Sequence, residues 1–282
     1  MSSEMASDVI PDWLVGLWRR ESLTLATGVT DTTTRVFWGQ TRSLYVDIRI
    51  PAARPSFAGR RSFRDCTPAE LRALAAQMGF AGRLALQGAR CTWIRDIDFQ
   101  PDTGRPDTGL LRCDGDVLYE TGEASSAIGD AYEEVYVRAA PGNRRLAALR
   151  VKSATGAAPG QGCPTGTILV VIDDRFLLAR PRRSPLPPGR TLEQLVDAGI
   201  DDRDFVETCL DCEVAIGWLG PGHPPWTIEL STVPFREGRR LFPKAMAGIV
   251  EGDLRLDSGS GTTTWQIVES SEPEALVEIF SA

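Results

Sequence analysis

Short segments of alternating apolar and polar residues run through the whole chain. In residues 44–50 the apolar side chains fall on one face, and Tyr45, Asp47 and Arg49 fall on the other. Strict alternation of this kind predicts a β-strand whose two faces lie in different environments. Segments rich in apolar residues predict further strands at residues 14–25, 35–38, 83–87, 91–99, 110–120, 131–138, 147–151, 167–172, 175–180, 212–218, 226–232, 249–256, 263–269 and 275–279.

A helical spacing of apolar residues appears in each half, after a Pro-rich loop. Residues 69–78 predict a short helix, because Thr67 can cap its start and Gly79 can end it. Residues 192–197 predict a second short helix at the corresponding place in the other half. An apolar face on such a helix is typical of packing against a barrel, although it also suits a lid over an open end.

The order of these segments repeats. Trp93 and Tyr132 are separated by the same number of residues as Trp226 and Trp265, and the segments between them are similar. A similar order in both halves predicts one kind of domain built twice. We therefore expect a first domain at residues 12–142 and a second at residues 143–282.

Seven or eight antiparallel strands with one short helix after the third favour a closed or nearly closed barrel in each half. The predicted fold class is all-β with short helices, as two similar antiparallel β-barrels in tandem. A two-sheet sandwich is the alternative, but it does not require a helix at that point. A barrel of eight strands is wide enough for its own side chains or for one small ligand.

Gly16-Leu17-Trp18 in the first strand resembles the Gly-x-Trp signature of lipocalins and their calycin relatives. The resemblance implies that Gly16 and Trp18 close one end of the barrel and that Arg138, on a late strand, packs across the Trp. A longer series resembles a family of bacterial and fungal proteins made of two lipocalin-like barrels, and it comprises Trp18-Arg19-Arg20, Asp31-Thr32-Thr33-Thr34, Asp47-Ile48-Arg49-Ile50-Pro51, Ile97-Asp98-Phe99-Gln100-Pro101 and Ser231-Thr232-Val233-Pro234-Phe235-Arg236-Glu237-Gly238. That resemblance covers most of the chain and implies a fold without an established activity.

Composition narrows the classes of partner. The formal net charge of −7 argues against nucleic acid as a partner, because the chain as a whole does not attract phosphate backbones. No apolar run approaches the roughly 18 residues that a membrane span needs, so no membrane insertion is expected. The start of the chain is polar, which argues against a secretory signal. The six cysteines are mostly scattered, so free thiols and a cytoplasmic location are expected.

Two interpretations of Tyr45, Asp47 and Arg49 stay open from the sequence. They form either a solvated strand face or part of a barrel interior. In the second case the same interior would include Trp38, Trp93, Arg95, Glu134, Tyr136 and Arg138. The resemblance to calycins implies that interior Arg and Tyr residues can hold a ligand carboxylate. Buried carboxylates must also pair with Arg, so such a cluster could satisfy itself without a ligand.

The first half is the better candidate for a binding site. Six of its residues have no counterpart of the same type in the second half, namely Trp18, Trp38, Tyr45, Asp47, Arg49 and Arg138. Both halves share the predicted strand order, so the two barrels are expected to differ in their interior side chains rather than in their fold.

The sequence gives only weak indications of a redox, metal or phosphate-binding site. Cys209 and Cys212 have the spacing of a redox or metal motif, but they precede a strand and no second close pair exists. His223 is the one histidine of the chain, which excludes a site with several His ligands. The Gly-rich stretch 156–162 lacks the Lys and the helix of a phosphate-binding loop. No metal, cofactor or catalytic residue is therefore expected.

The residues together favour a non-enzymatic binding protein whose first barrel holds a small, partly apolar ligand. Carboxylates are among the candidate ligands. The first alternative is a protein–protein interaction module with self-filled barrels. The second is a calycin-fold enzyme or a haem-binding protein that uses His223. The sequence does not fix the oligomeric state.

Overall fold

The structure is a computed structural model that describes residues 9–122, 131–156, 163–220, 222–242, 245–258 and 261–281. The strands of the first half are β1 (Gly16–Leu25), β2 (Thr30–Asp31), β3 (Arg35–Gln40), β4 (Tyr45–Ile50), β5 (Met78–Gln87), β6 (Arg90–Asp98), β7 (Asp107–Asp114), β8 (Val117–Gly122) and β9 (Tyr132–Ala140). The strands of the second half are β10 (Leu146–Thr155), β11 (Ile168–Ile172), β12 (Arg175–Arg180), β13 (Glu213–Trp218), β14 (Thr227–Ser231), β15 (Met246–Val250), β16 (Asp253–Asp257) and β17 (Thr262–Ser270). The α-helices are α1 (Pro68–Ala75), α2 (Leu192–Ala198), α3 (Arg203–Leu210) and α4 (Pro273–Ser281), with 3₁₀ turns at Phe63–Asp65 and Pro234–Arg236.

The first half closes into an antiparallel barrel. Its hydrogen-bonded order is β1-β3-β4-β5-β6-β7-β8-β9, and β9 pairs back with β1, from Leu17 opposite Ala140 to Leu25 opposite Tyr132. The short strand β2 lies beside the outer part of β1. The predicted all-β fold with short helices and an antiparallel barrel is thereby confirmed.

The second half follows the same strand order but leaves one seam open. Its antiparallel sheet runs β14-β13-β12-β11-β10-β17-β16-β15, which matches the first ring when β10 is counted as β1. Within the described residues, β14 and β15 do not pair, whereas their counterparts β6 and β7 do. Helix α4 packs on β15, and the indole of Trp226, before β14, donates a hydrogen bond to the carbonyl of Ile279 on α4 at 2.9 Å. A helix therefore takes the place of a strand pairing at the seam.

The structure corrects several element predictions. The predicted strand at 275–279 is helix α4, because Leu276, Ile279 and Phe280 recur at helical spacing and are buried together. The segment 110–120 is not one strand but parts of β7 and β8, which are separated by a turn at Gly115 with a positive φ of 58°. Helix α3 has no counterpart among the sequence predictions. The helix predicted at residues 69–78 is present as the shorter α1, with Thr67 accepting a hydrogen bond from the amide of Glu70, whereas Gly79, expected to end it, lies in β5.

The central strands of the second sheet, β11 to β13, are buried on both of their faces. One face forms a core of its own with residues such as Leu149, Val171 and Trp265. The other face packs on the outside of the first barrel through residues such as Val170 and Leu177. This explains why β11 is an uninterrupted apolar run rather than an alternating one.

Glycines on the first barrel permit this close contact. A Cβ at Gly79 on β5 would lie 2.9 Å from the Cβ of Val214 on β13, and a Cβ at Gly39 on β3 would lie 2.7 Å from Leu177. Such distances are too short for a side chain, so the two halves approach where glycine leaves room.

Contacts between the halves are reciprocal. Strand β4 packs on β11, β12 and β13, and α1 packs on α2. From the loop after β4, Arg54 donates to the carbonyl of Ser231 at 2.7 Å and to the carboxylate of Glu237 at 2.7 Å. From the loop after β12, Arg182 donates to the carbonyl of Asp98 at 2.8 Å and also to that of Phe99. This arrangement resembles the two-fold contact of a symmetric dimer within one chain.

The described residues include no helix that is both long and apolar enough to cross a membrane. The boundaries of the two domains at residue 142 stay a prediction, because the apolar core between the halves is continuous.

The close packing between the halves makes a prediction about stability. Gly79→Ala should lower the free energy of unfolding by about 1–3 kcal/mol, because the new Cβ overlaps Val214. Urea unfolding of wild type and variant measures the change. The matched control is Gly248→Ala on β15, where no atom lies within 4 Å of the added Cβ, and it should differ from wild type by less than about 0.5 kcal/mol. Equal stability of the two variants would contradict the tight interface.

Candidate functional site

Strands β4 and β9 carry polar side chains into the interior of the first barrel. Tyr45 and Asp47 on β4 are 0% and 2% exposed, and Glu134 and Tyr136 on β9 are both fully buried. Their alternate positions on each strand place them on one face, and that face is the interior. The structure thus places Tyr45, Asp47 and Arg49 inside rather than on a solvated surface.

Glu134 is the centre of a buried network of charges. Arg49 donates from Nε to Asp47 at 2.9 Å and from Nη1 to Glu134 Oε1 at 2.9 Å. Arg20 donates to the same Glu134 oxygen at 2.5 Å, and the Tyr136 hydroxyl donates to the other oxygen at 2.6 Å. Burial acts to raise the pKa of Glu134, but the charges of Arg49 and Arg20 and these hydrogen bonds outweigh it and lower the pKa. Glu134 is therefore held as a carboxylate.

Arg95 forms a second group of charges near the barrel mouth. Its Nη1 donates to Asp98 at 2.7 Å, and its Nε and Nη2 both donate to Asp107, the former at 3.1 Å. The guanidinium lies 3.8 Å from the ring centre of Phe80, which is the geometry of a cation–π contact. Its side chain is 19% exposed, so this group borders solvent.

Glu120 on β8 differs from Glu134 because no guanidinium pairs with it among the described residues. Its carboxyl accepts a hydrogen bond from the Tyr132 hydroxyl at 2.7 Å. Burial raises the pKa of Glu120 well above its ordinary value, and the negative charge of Glu134 raises it further. The interior thus contains one carboxyl group that burial drives toward its protonated form.

Aromatic rings fill the middle of the barrel. The ring centres of Trp38 and Trp93 are 5.9 Å apart, and so are those of Trp38 and Tyr136, both in edge-on geometry. The indole of Trp38 donates to the side chain of Gln40 at 3.1 Å. The Tyr45 hydroxyl is buried without a hydrogen-bond partner among the described residues.

Trp18 and Arg138 pack against each other near the start of β1. The Arg138 guanidinium lies 4.1 Å from the ring centre of Trp18 and donates to the carbonyls of Val15 at 2.8 Å and Trp13 at 2.7 Å. Gly16 has a φ of 141°, and a Cβ there would lie 2.6 Å from a backbone carbonyl oxygen. The closure of one barrel end by these residues stays a prediction, and these contacts keep Arg138 apart from the other candidate residues.

A small cavity remains among the interior side chains. Its volume is about 10 Å³, which is enough for about one water molecule. It is lined by Arg49, Met78, Phe80, Trp93, Arg95, Asp107, Glu120 and Tyr132. Among the residues expected from the sequence, Arg49, Trp93 and Arg95 reach this cavity, whereas Trp38, Asp47, Glu134 and Tyr136 lie in the packed network beside it.

Sequence reasoning missed several important members of this site. Arg20, Asp107 and Glu120 were not among the expected residues, although Arg20 lies two positions after Trp18 and Glu120 two positions after Leu118. This spacing puts each of them on the same strand face as a large apolar residue and could have placed them on an interior face. The cavity lining also depends on which strand ends meet, and the sequence alone does not show that.

The second half has no matching row of Trp and Asp, although it too contains a buried carboxylate, Glu213, which pairs with Arg180 and Arg236. The row across β1, β3 and β4 consists of Trp18, Trp38 and Asp47. The matching row across β10, β11 and β12 consists of Leu149, Leu169 and Leu178. Two positions further along β4 and β12 stand Arg49 and Arg180, so the expectation that Arg49 has no counterpart is wrong. Arg180 pairs with Asp211 at 2.6 Å.

The other candidate residues do not form a site in the structure. Burial raises the pKa of Cys212 to about 11 and also raises the pKa of Cys209, which makes both thiols poor nucleophiles. His223 is stacked on Trp218 in an exposed loop, with ring centres 5.0 Å apart. No group of His, Cys, Asp and Glu suited to a metal occurs in the described parts of the chain. Most of the Gly-rich stretch, residues 157–162, lies outside the described residues.

Comparison with known proteins returned few similarities. No model of a known protein family matches the chain, and no curated protein is similar to it in sequence. Among solved structures, the chain is similar to the crystal structure of a lipocalin-like protein from Bacteroides uniformis ATCC 8492. The similarity covers 45% of this chain and 98% of that one, with 14% sequence identity and a TM-score of 0.29.

The network around Glu134 makes a prediction about stability. Glu134→Gln should lower the free energy of unfolding by about 3–5 kcal/mol, because Arg20 and Arg49 lose the buried charge that both bind. Chemical denaturation measures the loss. Glu133→Gln changes the adjacent, exposed residue of β9 and should stay within about 0.5 kcal/mol of wild type. A loss below about 1 kcal/mol in Glu134→Gln would show that the network is not held by this charge.

Replacing Glu120, in contrast to Glu134, is expected to stabilise the protein, by an amount that depends on pH. Its raised pKa means that its protonated form stabilises the fold at low pH and that this stabilisation is lost as the pH rises through the folded-state pKa. Glu120→Gln keeps the acceptor for Tyr132 and removes the titration. The stability of this variant relative to wild type should therefore increase as the pH is raised from about 5 to about 8. Unfolding curves at several pH values test this, and a difference that does not vary with pH would contradict it.

Proposed function

We propose that this protein binds a small molecule at the mouth of its first barrel and is not an enzyme. The observation that supports this most is the cavity itself, where charged groups, a hydroxyl and aromatic rings converge inside an otherwise packed barrel. Binding sites for small molecules commonly combine an apolar wall with a few converging polar groups.

The contrast between the halves supports the proposal. The row of Trp18, Trp38 and Asp47 in the first half matches a row of Leu in the second half, although the second half has an ion pair of its own between the buried Glu213 and Arg236. Replacing a buried ion pair by well-packed apolar residues is often neutral or stabilising. Stability alone therefore gives little reason for the charges of the first barrel, and a ligand that interacts with them gives one.

The size of the cavity limits what can enter. About 10 Å³ accommodates one terminal group of a ligand, while the remainder would lie at the mouth, near the partly exposed side chains of Arg95 and Met78. A ligand carboxylate would bind weakly in this cavity, because the guanidinium groups of Arg49 and Arg95 are already paired with carboxylates of the protein.

The second candidate function is a protein–protein interaction module with self-filled barrels. The pairing of charges within the network and the small volume of the cavity favour it.

The proposed binding protein is cytoplasmic and is related to tandem lipocalin-like proteins, as the sequence motifs suggest. No cofactor is assigned to it.

Native mass spectrometry of freshly purified protein tests the proposal. Wild type should carry an additional mass of small-molecule size. Glu120→Leu should not, because Leu is the residue that the second half has at the matching position, Leu256, and it makes the cavity wall apolar. Glu133→Leu, on the outside of the neighbouring strand, should retain the mass. A bare chain mass for wild type together with a stable protein partner in a pull-down would favour the interaction module.

A further inference from the structure

Carboxyl groups outnumber guanidinium groups inside the first barrel. Among the described residues, Arg20, Arg49 and Arg95 form ion pairs there with four carboxylates: Asp47, Asp98, Asp107 and Glu134. Glu120 adds a fifth carboxyl group without a guanidinium partner. An ionised Glu120 would be a buried charge without a partner, which is unfavourable, so this interior is suited to a positive charge that accompanies it.

Every guanidinium nitrogen that lines the cavity already donates at least one hydrogen bond to the protein, and Glu120 keeps free acceptors. Nε and both Nη atoms of Arg49 donate to Asp47, Glu134 and Tyr136. The same three nitrogens of Arg95 donate to Asp98 and Asp107. By contrast, Glu120 accepts one hydrogen bond from Tyr132, which leaves lone pairs on its oxygens for a further donor.

The volume of the cavity then selects the kind of cation. A space of about 10 Å³ is that of one water molecule, and a primary ammonium group has a similar size. A planar guanidinium or a trimethylated ammonium is larger. Trp93, Phe80 and Tyr132 supply aromatic walls, which attract cations through their ring faces.

We propose that the cavity takes the primary ammonium group of a small amine, which donates hydrogen bonds to Glu120 and contacts the aromatic walls. This inference rests on the proposed binding function and adds the chemical class of the ligand. The amine's carbon chain extends out of the mouth past Met78 and Arg95. The ligand's charge also favours the ionised form of Glu120, so binding releases a proton from the protein.

Isothermal titration calorimetry with simple probes tests this inference. The probes are n-butylammonium, tetramethylammonium and butyrate, each titrated into wild-type protein at about pH 7 in two buffers of different ionisation enthalpy. We expect n-butylammonium to bind with release of a proton to the buffer, tetramethylammonium to bind at least about tenfold more weakly, and butyrate not to bind.

Variants connect the binding to Glu120. Glu120→Gln should weaken n-butylammonium by about tenfold or more and abolish the proton release, because the charge-assisted hydrogen bond is lost. Glu133→Gln should bind within about twofold of wild type, since its side chain points away from the interior. Glu120→Gln keeps the acceptor for Tyr132, and its unfolding curve shows whether the fold is intact.

The outcomes separate this inference from the proposed function. Binding of butyrate but not of n-butylammonium would overturn the ammonium assignment and leave the binding function in place. Binding of n-butylammonium that Glu120→Gln does not change would place the amine elsewhere and overturn the assignment. If wild type binds none of the probes, the ammonium assignment fails, and native mass spectrometry of the purified protein decides the binding function independently.

Discussion

The fold of the first barrel depends on how one buried carboxylate, that of Glu134, is neutralised. Glu134 lies on β9, and its partners Arg20 and Arg49 lie on β1 and β4, so the network joins the closing pair of strands to a third strand across the interior. A buried charge is stable only when such partners satisfy it. The network favours the register at which β1 and β9 close the ring, because that register brings Arg20 within hydrogen-bonding distance of Glu134.

The sequence predicts the strands and the polar faces better than it predicts their assembly. Alternation around Tyr45 gives a two-faced strand, yet it does not say which face is interior. The repeat predicts the shared strand order, but it matches Trp265 with Tyr132. Irregularities in the pairing of β1 with β9 and of β10 with β17 shift the register, and the ladders match Trp265 with Tyr136 instead. The sequence does not show that the second sheet leaves a seam between β14 and β15. Helix α4 covers this seam, and the residues that meet there are far apart along the chain.

The two halves also define each other's sites. Arg182 of the second half binds the backbone carbonyls of Asp98 and Phe99, and the side chain of Asp98 holds Arg95 at the mouth of the cavity. The position of a cavity residue is thus set partly by a loop of the other half. A shared apolar core adds to this dependence, because the outside of the first barrel is buried only where the second sheet covers it.

The shared core has a consequence for the order of events during synthesis. All strands of the first ring exist once Ala140 has left the ribosome, so that barrel can close early. Its outer surface around Gly39 and Gly79 nevertheless lacks its cover until β11, β12 and β13 have been made. During this interval an apolar patch of the nascent chain is exposed. Chaperones are expected to bind this patch, and slower translation would prolong its exposure and promote aggregation.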